Sequence, residues 1–127
     1  MAYGDNNDPD TLYKKMIRDF NDYSEKNNLN IEAKIQITQQ SDSYEAYGSQ
    51  VEQLLKRRNN KYDFYYFDNA YTQKYGKYLL DLRKVLPKEN IDVFDQKILQ
   101  LTCEYENVLV GLVKQNFFYI YLIHKIE

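Results

Sequence analysis

The chain has 127 residues, a net charge of -2, and an aromatic set of 14 Tyr, 6 Phe and no Trp. That length fits one domain with a real core, and the balanced charge gives no electrostatic footprint for nucleic acid or an anionic membrane surface. Cys103 stands alone, so no intrachain disulfide is available.

Met1 to Asp8 reads as an irregular polar lead, without the apolar run of a signal peptide. Asp8-Pro9 is a helix start, with Asp8 as cap, Pro9 at the first helical position and Asp10 in the first turn. Leu12, Met16, Phe20 and Tyr23, with Ile17 beside them, form a stripe at helical spacing. The helix should run to about Lys26, where Asn27-Asn28 breaks it.

Ile31, Ala33, Ile35 and Ile37 alternate with Glu32, Lys34, Gln36 and Thr38, which predicts a half-wet strand near a sheet edge. Ser43 can cap a second helix carrying Tyr44, Tyr47, Val51, Leu54 and Leu55. Gly48 weakens that helix by about 1 kcal/mol relative to Ala. Lys56-Arg57-Arg58 and Asn59-Asn60 mark its end. Tyr62 to Phe67 is almost wholly apolar and predicts a central parallel strand reached by right-handed crossovers.

A short helix should follow and stop at Gly76. Tyr78 to Leu86 reads as a turn plus a helical piece closed by Pro87. Asp92 to Cys103 predicts another helix, Glu104 to Asn107 a turn and Val108 to Leu112 a short buried strand. The aromatic and β-branched run Phe117 to Ile123 favours a strand and is too short for a bilayer span of about 20 residues.

The feature richest in chemistry is the end of the Tyr62 to Phe67 strand, where Asp68-Asn69 follows at once. Polar groups at the carboxyl end of a buried strand are how open α/β sheets present a ligand site. Asp68-Asn69 therefore has two readings: a helix cap, or direct ligand contact. A phospho-acceptor role would need a further acidic pair to hold Mg²⁺. The early acids Asp5, Asp8 and Asp10 are better explained as caps.

Lys56, Arg57, Arg58 and Lys61 suit a helix C-terminus. His124 has no second ligand at metal spacing, and no nucleophile motif accompanies it. Gly4 and Gly111 are isolated and form no phosphate loop. Tyr3, Gln39, Gln40, Tyr44 and Tyr71 near strand ends could stack on a sugar ring or satisfy its hydroxyls. Packing or plain exposure explains any one of them as well.

Four pieces in order carry a resemblance. They are the run from Leu12 to Tyr23 leading into Asn30 to Ile37, and Asp42 to Arg58. Tyr62-Asp-Phe-Tyr-Tyr-Phe-Asp68 comes next, then the pair Gly76-Lys-Tyr-Leu-Leu-Asp-Leu82 and Asn107-Val-Leu-Val-Gly-Leu112. Together they resemble the N-terminal lobe of extracellular solute-binding proteins, the sugar-type ABC transporter receptors of the type II periplasmic-binding-protein superfamily.

The resemblance implies an α/β fold, a three-layer αβα lobe with a mostly parallel sheet, here incomplete. Residues 1–112 would be the lobe, its first strand largely missing, and residues 113–127 a divergent tail with strand character. The family continues with Pro after its Gly-Leu, whereas Val113-Lys114-Gln115 follows here. It implies a non-enzymatic module without cofactor or metal, placed outside the cell or in the periplasm.

The residues matched to ligand contacts are Tyr3, Gln40, Ser41, Asp68 and Tyr71. The implied partners are a small polar ligand such as a sugar and a membrane transporter or receptor. Nucleic acid is not among them. With no opposing lobe, binding should be weak, and an exposed sheet edge should favour self-association.

Overall fold

The computed structural model describes residues 2–3, 12–38, 43–58, 61–114 and 117–123, in a mixed α/β arrangement. Asp8-Pro9, Gln39 to Asp42, Asn59-Asn60 and His124 lie outside the described residues. Helix α1 (Leu12–Lys26) ends where expected, and Asn28 and Asn30, both at positive φ, turn the chain out of it. Asn tolerates that conformation better than most residues.

The inward side of α1 differs from the expected stripe. Tyr13, Ile17, Asn21 and Ser24 face inward, while Met16, Phe20 and Tyr23 stay more than a third exposed. The difference is polar in origin, because Asn21 and Ser24 are spent on the next segment. Asn21 donates Nδ2–H to the Ala33 carbonyl at 3.0 Å and accepts the Ala33 N–H at 2.7 Å. Ser24 Oγ donates to the Ile31 carbonyl at 2.6 Å and accepts its N–H at 3.3 Å.

The strand expected over Ile31 to Ile37 is accordingly short. Only β2 (Ile37–Thr38) is paired as a strand, parallel to β1 (Ala2–Tyr3) with Ala2 opposite Ile37. Helix side chains satisfy part of the preceding backbone in place of a neighbouring strand.

Helix α2 (Tyr44–Lys56) starts as the sequence predicts, with Ser43 Oγ accepting the Ala46 N–H at 3.1 Å. Tyr47, Val51 and Leu55, four residues apart, form its buried face. Strand β3 (Phe64–Asp68) alternates, with Tyr65 and Phe67 buried and Phe64 and Tyr66 on the other face. The Tyr13 ring of α1 meets the Tyr66 ring edge-on at 4.7 Å. On the opposite face Tyr65 and Phe67 join the α2 residues in one core. Helices therefore lie on both sides of β3.

The pairing of β3 corrects the expectation of a central parallel strand. Its hydrogen-bonded neighbour is β7 (Phe117–Ile123), antiparallel, with Phe64 opposite Ile123 and Asp68 opposite Tyr119. Among the described residues, parallel pairing is confined to β1 and β2. A buried apolar run reads the same in either orientation, so sequence alone could not separate them. Strand β7 also pairs antiparallel with β6 (Leu112–Lys114), with an irregularity between Val113 and Lys114.

Between β3 and β6 the chain is built of short pieces. A 3-10 turn (Asn69–Tyr71) leads into α3 (Thr72–Tyr75), which stops at Gly76 as expected, and the chain continues as a second 3-10 turn (Gly76–Tyr78). Gly76 sits at negative φ, and an added Cβ would lie 2.3 Å from Tyr105 Cβ. Its glycine is required by that close approach rather than by a turn.

The helix expected over Asp92 to Cys103 starts later, as α5 (Gln96–Thr102), and is preceded by an unexpected short helix, α4 (Lys88–Asp92). Asp95 sets that later start, since its carboxylate accepts the N–H groups of Lys97 and Ile98 as the cap of α5. Gln96 Nε2 takes up the carbonyls of Ile91 and Phe94. Side chains that bond nearby backbone compete with helix continuation.

The strand expected over Val108 to Leu112 is also divided. β4 (Glu104–Tyr105) and β5 (Val108–Leu109) form a hairpin, and β6 begins after Gly111. The hairpin turn has positive φ at both Glu106 and Asn107, as mirror-image two-residue turns require.

Two buried tyrosines of the core are hydrogen-bonded. Tyr47 Oη donates to the Tyr66 carbonyl at 2.5 Å, and Tyr75 Oη to the Gly48 carbonyl at 2.6 Å. Tyr65 Oη is buried and finds no partner among the described residues. Burial, with smaller contributions from Tyr62 and Asp63, pushes the Tyr65 phenol from 10.0 up to about 12.

An orphaned buried hydroxyl is destabilising, so Tyr65→Phe should raise stability by about 1 kcal/mol in denaturant unfolding at neutral pH. Below pH 10 the phenol is neutral in both folded and unfolded chains. Between pH 10 and about 12 the unfolded chain loses this proton first, so the native protein loses stability as pH rises. The advantage of Tyr65→Phe should therefore widen across that window, and an advantage that stays flat would contradict the burial of the hydroxyl.

Candidate functional site

The carboxyl end of β3 carries the best candidate site. Asp68 closes the strand in extended backbone, and its Oδ1 accepts the Ala70 N–H at 2.8 Å. That bond turns the chain from strand into the following 3-10 turn. The capping reading of Asp68 is thus realised, and it leaves Oδ2 with no hydrogen-bond partner among the described residues.

Tyr71 closes the same turn. Its ring stacks on Tyr75 at 5.2 Å and 7°, with Lys74 Nζ 5.9 Å from its centre. Its tip lies against α2, where a Cβ on Gly48 would meet Tyr71 Cζ at 2.7 Å. Tyr71 is therefore a half-buried packing residue that also borders the strand end. Stacking on Tyr75 occupies one ring face, so any ligand contact would use the rim or hydroxyl.

Glu52 on α2 braces this corner. Its carboxylate receives Lys56 at 2.6 Å and Lys74 at 2.8 Å. Hydrogen bonds from those two ammonium groups hold its pKa below the usual carboxylate value. Thr72 Oγ1 donates to the Thr102 carbonyl and Gln73 Nε2 to the Glu104 carbonyl, which joins α3 to the α5–β4 corner. Arg83 pairs with Glu104 from the other side.

Of the five residues matched to ligand contacts, Asp68 and Tyr71 share one turn. Tyr3 ends β1, level in register with Thr38 at the end of β2, and β1 lies beside β3. Gln40 and Ser41 follow β2 by two and three positions and lie outside the described residues. Gly48 was legible in sequence only as a weak point in a helix. In the structure it lets two tyrosines from α3 and its entry turn approach α2. The only sequence signal for this was a mid-helix glycine next to Tyr47 on the apolar face.

Among the described residues, no group of three or more His, Cys, Asp or Glu side chains is placed to hold a metal ion, and no helix is long and apolar enough to cross a membrane. In comparison with known proteins, no family model, no curated protein and no solved structure matches the chain.

The cap gives a direct test of the Asp68 geometry. Asp68→Ala should cost about 1 kcal/mol of stability, whereas Asp68→Asn, which keeps an acceptor oxygen, should cost only a few tenths, or about 0.3 kcal/mol. Equal losses in chemical denaturation would mean that the Oδ1 to Ala70 bond is not the stabilising contact.

Proposed function

We propose that the chain is a small-solute binding module with a carbohydrate or other small polar ligand, built as one lobe of a two-lobe receptor. The observation that carries this reading is Asp68, held at the end of β3 with no partner for its Oδ2 among the described residues and with Tyr71 in the same turn. A carboxylate oxygen held beside a phenol suits the hydroxyl groups of a sugar. Helices on both faces of β3 and the parallel β1–β2 pair support a layered lobe of the solute-receptor type. The antiparallel placement of β7 departs from a mostly parallel sheet.

In such a receptor two lobes close on the ligand by hinge motion. A single lobe leaves much of the ligand in water, and each 1.4 kcal/mol lost weakens binding about tenfold. Binding by this chain alone is expected to be weak, in the millimolar range of about 1 mM. Titration calorimetry with a panel of mono- and oligosaccharides should give heat with at least one of them. Asp68→Asn should weaken that binding by about tenfold while remaining folded. Absence of heat across the panel at high protein concentration would sink the proposal.

A second reading is a self-associating structural protein of the same architecture. Val93 between α4 and α5 and Leu101 in the last turn of α5, at 73% and 75% exposure, favour it. It expects a mass above the monomer in sedimentation equilibrium, falling to the monomer when Leu101 is changed to Glu. A monomer at every concentration would remove it.

A further inference from the structure

We infer that the outward apolar stripe of α1 docks a second copy of this chain, with the two α1 helices antiparallel. A surface helix ordinarily turns its apolar stripe to the core. In α1 the stripe of Met16, Phe20 and Tyr23 is 38%, 37% and 58% exposed. It lies about a quarter turn from the inward side of Ile17, Asn21 and Ser24. That inward side is committed, because Asn21 and Ser24 hold Ala33 and Ile31, so the helix cannot roll to bury the stripe. Among the described residues, α1 adds none to the core or to the apolar shell packed on it. The stripe residues follow one another at intervals of four and three, the spacing of a seam between two helices.

Charge beside the stripe states what covers it. Lys15, Asp19 and Asp22 are exposed and lie along one flank of the stripe. Lys15 stands in a first turn that contains no acid, an order that the helix's own dipole disfavours. An antiparallel copy answers it, because its acidic stretch comes opposite the basic one. Placing Met16 between Phe20 and Tyr23 of the other copy brings Lys15 level with Asp22 of that copy and one turn from its Asp19. A two-fold axis makes each of these contacts occur twice.

A parallel copy fits less well. Its charged flank would meet the side of Ile17 and Ser24, which carries no charge. The antiparallel arrangement also sends the Tyr13 ends, where α1 meets Tyr66 of β3, to opposite ends of the helix pair. The inference is independent of the ligand reading at Asp68, and its face is distinct from that of Val93 and Leu101.

The test is sedimentation equilibrium of the full chain. A monomer–dimer equilibrium is expected, and Phe20→Glu should raise its dissociation constant by at least about tenfold. Lys15→Asp and Asp22→Lys, each alone, should raise it about tenfold by setting like charges together. An equimolar mixture of those two variants should recover the original constant, because each then supplies the charge that the other needs. Both sites are exposed, so recovery also shows that the variants are folded. Leu101→Glu should leave the constant unchanged. A monomer at every concentration overturns the inference, as does a dimer that survives Phe20→Glu and is lost in Leu101→Glu. A mixture that associates no better than either variant alone overturns the antiparallel pairing.

Discussion

Tyr75 donating its hydroxyl to the Gly48 carbonyl is the contact on which the rest of the architecture depends. It is fully interior, and it joins a four-residue helix that could not persist alone to the longer α2. Around it Phe67 meets Tyr75 edge-on at 4.8 Å and Tyr71 stacks on its other side. One aromatic cluster thus fixes β3, α2 and α3 together. The end of β3 inherits its position from that cluster, which is why Asp68 and Tyr71 are held in place by packing as well as by the turn.

Tyrosine suits this interior only if each hydroxyl is given a partner. Tyr47 and Tyr75 meet the condition by bonding backbone carbonyls of β3 and α2, so the same residues supply bulk and inter-element bonds. Tyr65 finds no such partner among the described residues, and its neighbours Tyr62 and Asp63 add to the difficulty of ionising it. The core therefore contains one position where the larger polar side chain costs stability relative to Phe.

Much of the element order was legible because local signals were strong. Ser43 capped α2, the Asn pair after Lys26 ended α1, and the run Phe117 to Ile123 formed a strand. What failed depended on partners distant in sequence. The β3 run carries no mark of strand direction, and its antiparallel neighbour lies at the far end of the chain. Asp95 lies inside a run with helical spacing, yet its carboxylate caps the start of α5. The inward face of α1 departs from the apolar stripe because polar Asn21 and Ser24 are the residues that grip the next segment. At the candidate site, Asp68 was visible as a strand-end acid, whereas the role of Gly48 was hidden because its purpose lies in what leans against it.

The place of β7 between β3 and β6 has a consequence for how the molecule assembles. A chain emerging from the ribosome makes β3 early, but the strand that pairs along its whole length comes only after the stretch from Asn69 to Asn116 has been made. Until then β3 presents an unpaired, aromatic-rich edge, and closing so long a loop is slow. The helical core around Tyr75 can form from residues already synthesised. Assembly should thus proceed from the aromatic cluster outward, with the three-stranded sheet completed last and the interval before it the period of greatest exposure to aggregation.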